Sequence, residues 1–135
     1  MRWDELLPAW VARLLADPEL VDLLEGEGAI YPAQAARPVR IPSVEYLTVL
    51  DRESELFNPV GLQVDVFARG LDLEARIERR IRMLSHHDTR QDLDGERVWL
   101  RYLDSRTVDF PSDPGVVHRI LDFELEAIRE RYAHL

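Results

Sequence analysis

The chain contains no cysteine and no lysine; every one of its 17 basic residues is arginine. The first absence excludes disulfide scaffolds, thiol catalysis and cysteine-ligated zinc or iron–sulfur centres. The second excludes Schiff-base lysine chemistry and the phosphate-binding P-loop lysine. Long apolar runs are also missing: no stretch approaches the roughly 18 consecutive apolar residues of a membrane span. Basic charge is scarce, with 26 acidic residues against those 17 and a net charge of -9. That balance argues against a general nucleic-acid binder, which carries a basic field. Near the start, Asp4 and Glu5 stand where a secretion signal is basic, so the chain is expected to be made in the cytoplasm and left unprocessed.

What is present suits one domain. A length of 135 residues with 46% hydrophobic residues is enough for a single core. Leu6, Leu7, Trp10, Val11, Leu14 and Leu15 recur at helical spacing and predict a helix over 3–15. Asp17-Pro18 reads as an N-cap followed by proline at the first helical position, opening a second helix that ends by Glu25 before Gly26 and Gly28. A short strand is expected at Ala29-Ile30-Tyr31, then a proline-punctuated loop over 32–42. Strands follow at 43–50 and 61–69. In the second, Leu62, Val64, Val66 and Ala68 alternate with Gln63, Asp65, Phe67 and Arg69.

Gly70 ends that strand, and Asp72 is expected to cap a helix reaching Leu84 or Ser85. Its apolar stripe is Leu73, Ile77, Ile81 and Leu84. Asp94-Gly95 reads as a tight turn before a strand over 97–103, and 104–115 reads as loop. A last strand spans 116–128, with Asp122, Glu124 and Glu126 on its polar face. A helix over 122–132 competes with it, because Glu and Ala favour helix. The expected fold is α+β: a mainly antiparallel sheet of about five strands with helices packed on one face, in two layers.

Motifs for chemistry are sparse. No GxSxG elbow, P-loop or dinucleotide glycine fingerprint occurs, and none of the serines sits in a recognisable elbow. His86-His87-Asp88 is the most metal-like group. Adjacent helical residues diverge by about 100°, so one ion would also need His118 or distant carboxylates. The plainer reading is a histidine pair at a helix end, favoured by the helix dipole. Asp92, Asp94, Gly95 and Glu96 lack the ligand spacing of a calcium loop. The one basic stripe is Arg76, Arg79, Arg80 and Arg82. It reads as a solvated face paired with Asp72, Glu74 and Glu78, as a subunit interface, or as a phosphate site, and the acidic balance favours the first two. Trp10 belongs to the core. Trp99 lies on the side of Arg101, away from Val98 and Leu100, which makes it a candidate subunit contact.

The order of these elements carries a resemblance. A leading helix runs into LLADPELVDLLEGEGAIYPAQA over 14–35, a proline-bracketed loop precedes IPSVEYLTV at 41–49, and GLQVDVFARG at 61–70 enters the helix LDLEARIERRIRML. Over residues 6 to 85 this resembles the tail completion proteins of tailed bacteriophages, the tail terminator or tail-to-head joining family. The last fifty residues fit in outline. The Glu25-Gly26-Glu27-Gly28 turn and the polar link 51–59 depart from the pattern.

The resemblance implies a structural virion protein with no reaction and no cofactor. It is made in the host cytoplasm and is located at the head–tail junction of the virion. Such proteins form a ring, commonly a homohexamer, that caps the tail tube. They meet a tail tube protein on one side and a head-completion or connector protein on the other, and DNA passes without specific binding. An acidic lumen suits that passage. Ring closure is head-to-tail and needs two different contact sides. The expectation is that Arg79, Arg80 and Arg82 of one subunit oppose Asp122, Glu124 and Glu126 of the next, with Arg76, Trp99 and Arg101 nearby. Charge reversal at Arg80 is then expected to prevent ring formation. One of the loops 32–42, 51–59 and 104–115 is expected to touch the tail tube or a neighbouring ring. The competing readings are another neck or head-completion protein, an adaptor domain of the same outline, and a small metal-dependent enzyme using His86, His87 and His118.

Overall fold

The computed structural model of the protein describes residues 3–33, 40–48, 60–85, 91–93 and 96–127. Helix α1 spans Trp3–Leu15 and α2 spans Pro18–Leu23, followed by a 3-10 turn at Glu27–Ala29. Strands β1 (Ile30–Pro32), β2 (Ser43–Thr48) and β3 (Val60–Arg69) precede helix α3 (Leu71–Ser85). Strands β4 (Gln91–Leu93), β5 (Glu96–Val108) and β6 (Val116–Ala127) complete the order. The six strands form one sheet in the order β1-β2-β3-β6-β5-β4. All neighbours are antiparallel except β1 and β2.

Local chemistry places the helix boundaries. The Asp17 carboxylate accepts the Leu20 N–H at 3.0 Å and Pro18 occupies the first turn, which is how α2 starts. It ends at Leu23, earlier than expected, where Glu25 and Gly26 take positive φ. The N-terminal boundary of α3 differs from the sequence reading. Gly70, at φ 88°, makes the turn and its carbonyl accepts the Glu74 N–H, so Asp72 falls inside the first turn of the helix.

The alternation of β3 and β6 builds the two layers. Val64 pairs with Leu121 and Leu62 with Phe123, so both strands turn the same apolar set toward the helices. Trp10 and Leu14 of α1, Leu20 of α2 with Leu24 just after it, and Ile77 and Ile81 of α3 close over that face in one buried cluster. The indole N–H of Trp10 donates to the Ser85 hydroxyl at 3.0 Å, and its ring meets Tyr46 edge-on. Burial of this kind contributes about 25 cal/mol per Å² of apolar surface, so the shared face is what holds helices to sheet.

The second half adds one short strand, and two expectations there need correction. The short strand β4 exists and pairs Leu93 with Glu96; Asp94 and Gly95 between them lie outside the described residues. Strand β5 does not stop at Leu103 but continues to Val108, so only 109–115 is loop. A register shift between Tyr102 and Asp104 absorbs one residue and puts Asp104, Arg106 and Val108 on the uncovered face. The competing helix over 122–132 is overturned as far as Ala127, because Leu121, Phe123 and Leu125 complete the period-2 core face. From Trp99 to Val108 the edge of β5 away from β6 has no strand partner among the described residues.

Candidate functional site

The basic stripe of α3 divides. Arg80 is committed within its own subunit: its Nε and Nη2 bond the two Asp17 oxygens at 3.1 and 2.7 Å. Its Nε also lies 2.7 Å from a Glu19 oxygen. This forked bond keeps the Asp17 carboxyl below the usual carboxylate range and the guanidinium above its own. Arg82 stands on the other side of the helix, since two residues turn it by about 200°. Its guanidinium lies 4.0 Å from the centre of the Tyr102 ring on β5 and 3.6 Å from Glu78. Arg76 and Arg79 are exposed and make no ion pair among the described residues. Ala75, Glu78, Arg79, Arg82 and Met83 line an open groove of about 510 Å³ along this flank of α3.

The expected acidic face is neutralised from across the strands. Glu124 meets Arg101 at 2.7 Å, and Asp122 is held by Arg106. All four side chains lie on the sheet face turned away from the helices. Trp99 pairs in register with Glu126 at the end of that ladder, while their side chains are outside the described set. The stripe and the acids therefore occupy opposite layers of the subunit; Arg80, Arg82, Asp122 and Glu124 have partners at home, whereas Arg76 and Arg79 form no ion pair among the described residues.

The histidines do not converge in what is described. His118 bonds Asp65 at 3.2 Å and stacks on Phe67 with centroids 4.2 Å apart. Phe110 covers Phe67 edge-on from the 109–115 loop. His86, His87 and Asp88 lie outside the described residues, as do the segments 34–39 and 51–59. Among the described residues no cluster of three metal-ligating side chains occurs. No described helix is long and apolar enough to cross a membrane.

One arrangement was not readable in the sequence. Glu74 is 1% exposed, and its Oε1 accepts from Arg119 Nε at 2.9 Å. The same Nε lies 3.2 Å from Glu78, so one cation serves two carboxylates one helical turn apart. Glu74 Oε2 is buried with no hydrogen-bond partner. Burial first, and then the Glu78 charge, push the Glu74 carboxyl up to about 7. The only signal available was position: Glu74 sits at i−3 from Ile77 on the buried stripe.

The comparisons with known proteins bear on this fold. No protein-family model matches the chain, and no curated protein matches it. Among solved structures, it is similar to a chain of the virion of a native gene transfer agent particle. The TM-score is 0.65 at 16% sequence identity, covering 90% of this chain and 93% of that one. At that identity the likeness shows a shared fold, an α+β sheet with helices on one side.

Proposed function

We propose that this protein is a structural component of a phage-type virion, and specifically that it caps the tail tube as a ring and joins the tail to the head connector. The observation that carries the reading is the near full-length likeness to a chain of a gene transfer agent virion. It agrees with the order of the motifs over residues 6 to 85, which resembles the tail completion family. In this reading the chain is one domain, its partners are further copies of itself, a tail tube protein and a head-completion protein, and DNA passes without being held. The net charge of -9 fits that passage, because an acidic lumen repels phosphates. The described residues build a core, ion pairs and faces suited to contact, and the reading assigns the protein no reaction and no cofactor. Electron microscopy of concentrated protein tests it. Rings with a central hole are expected, and single particles without closed rings at every concentration would remove the proposal.

A further inference from the structure

We infer that the groove beside α3 receives the acidic turn after α2 of a second copy of this chain; the inference rests on the ring reading above and names the contact that closes it. Among the described residues, the groove is where the arginine stripe is left open. Arg79 and Arg82 line it, the exposed Arg76 lies one helical turn before Arg79, and Met83 in the lining is 57% exposed. Glu78 in its wall is shared between Arg119 beneath and Arg82 beside it, so Arg79, which forms no ion pair among the described residues, sets the sign of the opening.

The complementary patch lies on the other flank of the same helix. Arg80 points toward α2 and anchors it, whereas Arg82 points toward β5. Just past that anchor, Asp22, Glu25 and Glu27 are exposed, and none forms an ion pair among the described residues. Arg40 beside this turn gives a hydrogen bond to the Glu25 carbonyl and lies 3.5 Å from where Cβ atoms at Gly26 and Gly28 would stand. Asp22, Glu25 and Glu27 give this turn a cluster of three exposed carboxylates. The acids on β6 do not fill this role, because Arg101 and Arg106 already hold Glu124 and Asp122. Two unlike patches on opposite flanks of one helix are what head-to-tail association requires, and such a contact repeats from copy to copy until a ring closes. Charge complementarity of this kind fixes register and partner.

A charge-swap experiment on the full chain tests the contact, read by sedimentation velocity with a thermal melt as the control for folding. Arg76→Glu/Arg79→Glu and, separately, Asp22→Arg/Glu27→Arg should each weaken association by at least about tenfold, since reversed pairs repel. An equimolar mixture of the two variants should assemble again, because every contact in an alternating ring is then between opposite charges. Folded variants that associate as the wild type does, or a mixture that stays dissociated, would overturn the contact and leave the ring standing. A wild type that is monomeric at every concentration would remove the ring and this contact together.

Discussion

Arg119 of β6 and Glu74 of α3 meet 2.9 Å apart beneath the helix, forty-five residues apart in the chain. With the Arg119–Glu78 contact at 3.2 Å, the bond gives the largely apolar boundary between the two layers a polar tie. Its cost is visible in the second Glu74 oxygen, which is buried without a partner.

The first prediction follows from that oxygen. A carboxyl raised to about 7 from 4.5 keeps its proton in the folded chain where the unfolded chain has lost it. Its favourable contribution is fully present below pH 4.5 and is lost as pH rises to about 7. The loss is on the order of 1–3 kcal/mol, as one pKa unit corresponds to about 1.4 kcal/mol. Glu74→Gln should therefore match the wild type near pH 4, be the more stable of the two at pH 8, and show a flatter profile between. Urea unfolding at both pH values checks this; parallel profiles for the two proteins would show that Glu74 ionises normally.

Asp17 has two tasks, as cap of α2 and as partner of Arg80. Replacing a capping aspartate by alanine costs about 1 kcal/mol, and more is expected here because Arg80 also loses its fork. Arg80→Glu should lower the melting temperature of the isolated subunit. Loss of rings in that variant would then report a weakened subunit as well as a lost contact, which is why Arg76 and Arg79 are the better probes of assembly. Equal melting temperatures for wild type and Arg80→Glu would contradict this assignment.

Trp10 and Ser85 should be energetically coupled. Trp10→Phe removes the indole donor and Ser85→Ala removes its acceptor. A double-mutant cycle measured by chemical denaturation should return a coupling of about 1 kcal/mol, the usual net value of a buried hydrogen bond. Strict additivity would mean that the α1 contact is apolar only.

Gly70→Ala should cost about 1 kcal/mol although nothing lies within 4 Å of an added Cβ. The reason is backbone: φ is 88°, which side-chain-bearing residues adopt reluctantly. An unchanged unfolding midpoint would show that the β3–α3 corner can relax.

Much of this architecture is legible in residue spacing. The period-2 set Leu62, Val64, Val66 and Ala68 and the helical set Trp10, Leu14, Ile77 and Ile81 all reach the core as their spacing requires. Asp17-Pro18 announces its helix without help from elsewhere. The failures have a common cause. The extension of β5 through Asp104, Ser105, Arg106 and Thr107 depends on pairing with β6, and polar residues give no local sign of it. Likewise, Glu74, Arg80, Asp122 and Glu124 look like generic surface charge until their distant partners are known. Sequence locates the charged stripe on α3; the packing decides which of its arginines remain open.

The shift in β5 near Leu103 also shapes how open this sheet edge is to foreign strands. A straight rim from Trp99 to Val108 would let a stray polypeptide zip onto it by backbone bonds alone. The kink splits that rim in two, and Arg101, Asp104 and Arg106 stud it with alternating charge. Backbone pairing of a second strand along this edge is thereby disfavoured.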